Sequence, residues 1–377
     1  MSQPPEDRSA AYSSAGVDYG ALDAGKRDAL TEALATSALL EANRGRAIDQ
    51  SRGEPAFVFE LGAQTFAFVL EGLGTKSIIA RQLENRLGAG GFQHVAYDTV
   101  AAIVNDLCCV GALPLVVNAY FATGSSAWYE HRERHAALLA GWRQGCVDAG
   151  AAWGGGESPS LPELVSASDI ELAGSCVGLV PAQRRPILGD DLEAGDELVL
   201  VHSSGLHANG ASLARMVGQA LPDGYGTALP SGRLFGEALL DPSVIYVPLV
   251  RVLLERAIPV HYLSHITGHG LLKLMRPRRE LTYRVTSLPD PPEVLRFLAE
   301  KAGMSPAAAY STLNMGCGFA VYCAAGSGEE VVQLASDAGL SALLAGVIED
   351  GPRRVILSEI DVVFESDAMN LTPRRAA

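Results

Sequence analysis

Apolar positions along the chain recur at two spacings, one strand-like and one helical, and divide it into short elements. Leu30, Ala33, Leu34 and Ala38 fall near helical spacing and predict a helix from Lys26 to Arg44. Two Phe-rich runs, Phe57-Val58-Phe59 and Phe66-Ala67-Phe68-Val69-Leu70, flank Gly62-Ala63-Gln64-Thr65 and read as a β-hairpin. A helical pattern opens at Asp98, a strand covers Leu115 to Phe121, and a long amphipathic helix runs from Tyr129 to Asp148. Ala151 to Glu157 reads as a strand ending in a flexible glycine turn, and Leu172 to Val180 as another strand. The apolar pattern breaks over Pro181 to Glu193, which places a domain boundary there and divides the chain into residues 1–185 and 186–377. The second half begins with the strand Glu197 to Val201, followed by a loop and the helix Ala211 to Ala220. Helices Ser243 to Arg256 and Glu293 to Lys301 and the strand Phe319 to Cys323 follow. The expectation is a two-domain α/β protein.

Composition narrows the functions available. At 377 residues and 48% hydrophobic, the chain can bury the core of an enzyme of ordinary size. A formal charge of −14 argues against a nucleic-acid surface, which needs clustered Lys and Arg at phosphates. No apolar run reaches the roughly 18 residues that span a bilayer, and the first residues lack a basic-then-apolar signal pattern, so the expectation is a cytoplasmic protein without a membrane partner. The six cysteines form no C-x-x-C pair and lie mostly in apolar runs, as buried free thiols would.

Candidate chemistry gathers at the ends of the predicted elements. The apolar strand up to Leu70 runs into Glu71-Gly72-Leu73-Gly74-Thr75-Lys76, where glycines clear space for backbone to approach a metal-bound polyphosphate. Lys76 stands out because the chain has only three other lysines, Lys26, Lys273 and Lys301. Glu71, Asp98, Asp106 and Glu157 form a scattered acidic set of the kind that suits magnesium carried in with a nucleotide, although Asp98 taken alone reads as a helix cap. In Ser203-Ser204-Gly205-Leu206-His207-Ala208-Asn209-Gly210, a turn of small residues ahead of a helix exposes N–H groups beside an imidazole and an amide. His265-Ile266-Thr267-Gly268-His269-Gly270 is a second glycine turn with two histidines.

Taken in order, these turns resemble the aminoimidazole ribonucleotide synthetase family, phosphoribosylformylglycinamidine cyclo-ligase. Tyr12-Ser13-Ser14-Ala15-Gly16-Val17-Asp18 is similar to that family's N-terminal motif, and Glu71 to Lys76 to its Asp-Gly-Val-Gly-Thr-Lys. Asn105-Asp106, Gly155-Gly156-Glu157, Ser203 to Gly210, His265 to Gly270, and Asn314 with Gly316 and Gly318 complete the series.

The resemblance implies a two-domain synthetase-like fold, with an N-terminal domain forming a β-barrel-like dimer core and a C-terminal α/β domain. It implies a homodimer that uses ATP and Mg2+ to close the ring of formylglycinamidine ribonucleotide, through phosphoryl activation of an amide oxygen. By position, Glu71, Asp106 and Glu157 would serve the metal. Gly72, Gly74, Thr75, Lys76, Asn105, Asn209, Thr267 and Gly268 would serve the nucleotide, and His207, Lys76 and His265 the chemistry.

Departures from the family pattern are Glu71 in place of Asp, Val244 in place of Arg, Ser160 in place of Glu, His269 in place of Gly, and Pro55 to Leu61 in place of a glycine-rich segment. They keep open a paralogue that is non-catalytic or takes another substrate. Selenophosphate synthetase and the hydrogenase-maturation dehydratase fit less well, since their reactive cysteines have no counterpart here, and thiamine-monophosphate kinase lacks the Tyr12 to Asp18 start.

Overall fold

The computed structural model describes residues 19–366, so the Tyr12 to Asp18 motif lies outside the described residues. Helix α1 (Tyr19–Ala35) is followed by a 3-10 turn, Ser37–Asn43, so the helix expected to reach Arg44 ends earlier. The first half is then built from β1 (Gly45–Ile48), β2 (Phe57–Leu61), β3 (Gln64–Gly72), α2 (Lys76–Leu87), α3 (Gly90–Cys108), β4 (Leu113–Thr123), α4 (Arg132–Ala149), β5 (Ala152–Glu157) and β6 (Ile170–Val180). Its six strands form an open sheet in the order β1-β2-β3-β6-β4-β5.

Among the described residues, one face of this sheet is covered by helices and the other is not. Along β3, Ala67 and Val69 turn inward and are buried, while Phe68 and Leu70, 45% and 69% exposed, stand on the opposite face, as the period of two requires. Phe57, Phe59 and Phe66 stack in a row on the hairpin, with ring centroids 5.9 and 5.6 Å apart.

The second half comprises β7 (Glu197–His202), α5 (Ala211–Ala220), α6 (Phe235–Leu239), α7 (Val247–Glu255), β8 (Val260–His265), β9 (Leu281–Val285), α8 (Glu293–Lys301), α9 (Pro306–Tyr310), β10 (Cys317–Cys323), α10 (Gly328–Asp337), β11 (Ala342–Asp350), β12 (Arg354–Leu357) and β13 (Val362–Glu365). Seven strands form a sheet in the order β13-β12-β9-β11-β7-β10-β8, antiparallel except where β12 meets β9. All of β10 is buried. Among the described residues no helix is long and apolar enough to cross a membrane, and all six cysteines are buried and free.

Two local expectations are corrected. The helix expected to open at Asp98 begins at Gly90, so Asp98 lies about two turns inside it and cannot cap it. Gly154 to Gly156 do not form a flexible turn but belong to β5, where a Cβ on Gly156 would lie 2.1 Å from the Ala119 carbonyl oxygen.

Candidate active site

Helix α3 is apolar on nearly every side because it is wedged between the first sheet and the second half of the chain. Its exceptions form a stripe. Asp98, Asn105 and Asp106 stand at i, i+7 and i+8, which puts them on one helical face. That face receives three loops of the second half.

At Asp98 the contact is ionic. Lys76, at the start of α2, places Nζ 2.5 Å from Asp98 Oδ2, and both side chains are fully buried. The same ammonium donates to the His207 carbonyl oxygen at 2.8 Å, and Asp98 Oδ1 accepts the Ser243 N–H at 2.6 Å. Two turns further, the Asn105 amide brackets the Val244–Tyr246 segment, donating to the Val244 carbonyl and accepting the Tyr246 N–H, each at 2.8 Å. Thr75 Oγ1 lies 3.2 Å from Ser212 Oγ and ties the strand-end turn to α5.

His207 sits in the loop between β7 and α5 with φ of 59°, in the left-handed region that non-glycine residues rarely occupy. The Ser204 and Val244 N–H groups point at Nε2, 3.2 and 3.5 Å away, so that nitrogen is the acceptor and the proton belongs on Nδ1. Ser204 Oγ, 3.1 Å from the same nitrogen, directs its own proton to the Pro242 carbonyl. Burial first, then the neighbouring His265 and Lys76 charges, hold this imidazole well below the usual histidine range, so it is neutral near pH 7. Its Nδ1 is buried without a hydrogen-bond partner, as is Ser243 Oγ. Both residues line a water-sized space of about 10 Å³, together with Asp98, Asn105, Asn209, His265 and Thr267.

At Asp106 the chain of contacts is longer. Asp106 Oδ1 meets His265 Nδ1 at 2.6 Å. Burial would raise this carboxyl, but the His265 hydrogen bond and the charges of His265, Lys273 and Arg276 hold it down to about 2. Its ionised oxygen accepts, so His265 carries its proton on Nδ1. Glu71 hydrogen-bonds the same carboxylate and is pushed up to about 8, by burial first and then by the Asp106 charge, so Glu71 is the protonated partner. Lys273 Nζ donates to the His265 carbonyl at 3.2 Å and to Thr267 Oγ1, and burial lowers it to about 8.

The expected site residues are therefore unequally placed. His207, His265, Asn209, Thr267, Asn105, Asp106 and Glu71 come together, with Gly72, Gly74 and Thr75 at their edge. Lys76 is in the cluster but sealed within it, and the Asn105 amide is committed to backbone. Glu157 ends β5 with its side chain exposed. In sheet register it faces Tyr120, then Ala173, then Gly72, which is three strand spacings or about 14 Å across the sheet. Among the described residues no group of three or more His, Cys, Asp or Glu is placed to hold a metal ion, and the carboxylates that meet are Glu71 and Asp106.

Residues that sequence reasoning passed over include Lys273, Arg276 and Ser243, while Asn314 was noted only as part of a turn and was given no role. Asn314 braces the His207 loop, donating to the Gly205 carbonyl at 2.9 Å and accepting from Ser203 Oγ at 2.8 Å. One signal could have found Lys273, which was as rare a lysine as Lys76.

A fold of two mixed α/β halves with a buried polar seam between them agrees with the comparisons to known proteins. Residues 53–180 match the N-terminal domain, and residues 193–358 the C-terminal domain, of AIR synthase related proteins. The chain belongs to this family. It is 30% identical over 344 residues to a phosphoribosylformylglycinamidine cyclo-ligase of Methanobrevibacter smithii, covering 90% of this chain and 95% of that protein. It is 33% identical over 330 residues to the enzyme of that name from Methanothermobacter thermautotrophicus, covering 86% and 91%. Solved structures of the same fold include thiamine-monophosphate kinase from Stenotrophomonas maltophilia K279a, 19% identical with a TM-score of 0.57 over 80% of this chain and 88% of that one. Hydrogenase maturation protein HypE in complex with ATP is 16% identical with a TM-score of 0.55, covering 72% and 78%.

Proposed function

We propose that this chain is a phosphoribosylformylglycinamidine cyclo-ligase, acting as a homodimer in the cytoplasm for purine biosynthesis. It would convert formylglycinamidine ribonucleotide and ATP into aminoimidazole ribonucleotide, ADP and phosphate. The observation that carries the reading is the similarity, over most of both chains, to relatives of that name. The buried seam supports it, because it joins a strand-end turn and an acidic helix face from one half to two histidine loops from the other.

In this reaction the formyl amide oxygen attacks the γ-phosphoryl group of ATP, and ADP leaves. The amidine-side nitrogen then attacks the activated carbon, and phosphate departs with that oxygen. Such chemistry depends on orientation and on donors placed where charge develops. A neutral His207 with an unpartnered Nδ1–H suits a donor to an oxygen, and His265, held by Asp106 through Nδ1, presents Nε2 in a fixed direction. Asn209 and Thr267 border the same space, and with Gly268 next in the chain to Thr267 they would contact the nucleotide or its phosphates, with Gly72, Gly74 and Thr75 on the facing turn.

Magnesium fits Glu71 and Asp106, since it binds through one or two carboxylates plus phosphates, and these two carboxyls now share a proton that a cation would displace. When bound it would offset charge on the phosphates. Glu157 would join them only by contact from elsewhere, given its place across the sheet.

The homodimer reading rests on the uncovered sheet face. Phe68 and Leu70 leave an apolar surface that a second copy would bury, and two such sheets face to face would make the barrel-like core.

Val244, where the resemblance has an arginine, favours a second reading in which the same machinery takes another substrate. Purified protein with magnesium, ATP and formylglycinamidine ribonucleotide is expected to release ADP together with the aminoimidazole product. ADP release without that product would replace the first reading by the second, and absence of nucleotide binding would overturn both.

A further inference from the structure

We infer that the buried Lys76–Asp98 ion pair is a positioning device that presents the His207 imidazole and the Ser243 hydroxyl to one oxygen atom of the bound ligand. The inference rests on the proposed reaction for the identity of that oxygen, which is the amide or phosphoryl oxygen where negative charge develops. The geometry stands independently of it.

An ion pair sealed from water adds little net stability over apolar residues of the same volume, because desolvation offsets the attraction. This pair instead reaches outward with both partners. Asp98 Oδ1 holds the Ser243 N–H at 2.6 Å, and Lys76 Nζ holds the His207 carbonyl at 2.8 Å. Lys76 and Asp98 belong to helices of the first half, whereas the two residues they hold lie on separate loops of the second. The pair therefore fixes two independent loops against one anchor. Its grip on the His207 carbonyl also helps to hold a backbone at φ 59° that the residue would not choose by itself.

The held residues are the ones with unused polar atoms. His207 Nδ1 and Ser243 Oγ are both buried and unpartnered, and both residues line the space of about 10 Å³ beneath the loops. A space of that size admits about one water or one ligand oxygen. An imidazole N–H and a hydroxyl beside it can both donate to such an oxygen. Lys76 Nζ has no surface of its own, so in this arrangement it acts through His207 and not by direct contact with phosphates.

The test compares Lys76→Met, Asp98→Asn, the double variant K76M/D98N, H207A and K76M/H207A. The double variant removes both charges and so leaves no uncompensated buried charge, which keeps it foldable. It is expected to melt near the parent temperature while kcat falls about 100-fold, the scale of a misplacement of about 1 Å, with KM for ATP little changed. Lys76→Met is expected to add almost no loss once His207 is already alanine. Losses that multiply in the H207A background, or a raised KM for ATP at unchanged kcat, would overturn the inference and make Lys76 a phosphate contact. Parent-like kcat in the double variant would also overturn it and leave the pair purely structural. A second readout needs no turnover: nitrogen NMR of ligand-free protein should show His207 as the Nδ1–H tautomer in the parent and a mixture in K76M/D98N. An Nε2–H tautomer in the parent would sink the proposal. If the parent forms no product but shows these NMR changes, the reaction assignment fails and the positioning role stands.

Discussion

Asp106 Oδ1 and His265 Nδ1 meet at 2.6 Å although 159 positions separate them in the chain. Neither would be there without the other half: the aspartate stands on the buried face of α3, and the histidine ends β8 in the opposite sheet. The contact joins the acidic pair of the first half to the histidine loops of the second.

Because this carboxylate lies between His265, Glu71, Lys273 and Arg276, Asp106→Asn should weaken magnesium-dependent ATP binding by tenfold or more, about 1.4 kcal/mol. Glu157→Gln, at an exposed strand end, should change stability by no more than about 0.5 kcal/mol and ATP binding far less than Asp106→Asn does. Calorimetric titration with ATP and magnesium, beside thermal melts, checks both. Equal losses in the two variants would place Glu157 in the metal site after all.

His207 gives the protein a pH dependence of known sign. Its folded-state value lies below the unfolded one, so under acidic conditions the unfolded chain takes up a proton that the folded protein refuses. The stability contribution is present above the unfolded value near 6.5 and is lost as pH falls below it, by up to about 1.4 kcal/mol per pH unit. Denaturant melts from pH 7 to pH 5 should show this slope, and His207→Gln should flatten it. An unchanged slope in the variant would assign the effect to other groups.

The uncovered sheet face predicts association. Leu70→Asp places a charge among apolar side chains that are exposed in one subunit, so the folded monomer should tolerate it within about 0.5 kcal/mol while the dimer dissociates. Sedimentation at micromolar concentration should give a dimer for the parent and a monomer for the variant. A parent that sediments as a monomer would contradict the homodimer.

Gly318 has a packing duty. A Cβ there would lie 1.7 Å from Tyr246 Oη, which donates to the His202 carbonyl at 2.8 Å. Gly318→Ala should therefore displace the Tyr246 ring and cost about 1–3 kcal/mol, read as a lower melting temperature. Adding Tyr246→Phe should recover part of the loss, since it removes the clashing oxygen.

Much of this protein was legible along the chain. The alternating Phe-rich hairpin, the apolar run of α3 and the ordered glycine turns each have a local cause: a period of two or 3.6, or a backbone that must approach closely. These fixed the α/β class and singled out His207, His265, Asp106 and Glu71, which the fold brings together.

What tertiary structure alone decided is how those groups are partnered. A lysine beside a glycine turn reads as exposed, because sequence carries no distance between Lys76 and Asp98, or between either and His207. The fold buries all three together and turns a candidate phosphate contact into an anchored ion pair. Glu157 and Glu71 look alike as acids at strand ends, but strand order sets one across the sheet from the other. Burial and partner charge, which decide which carboxyl keeps its proton and which imidazole stays neutral, exist only once the two halves close on α3.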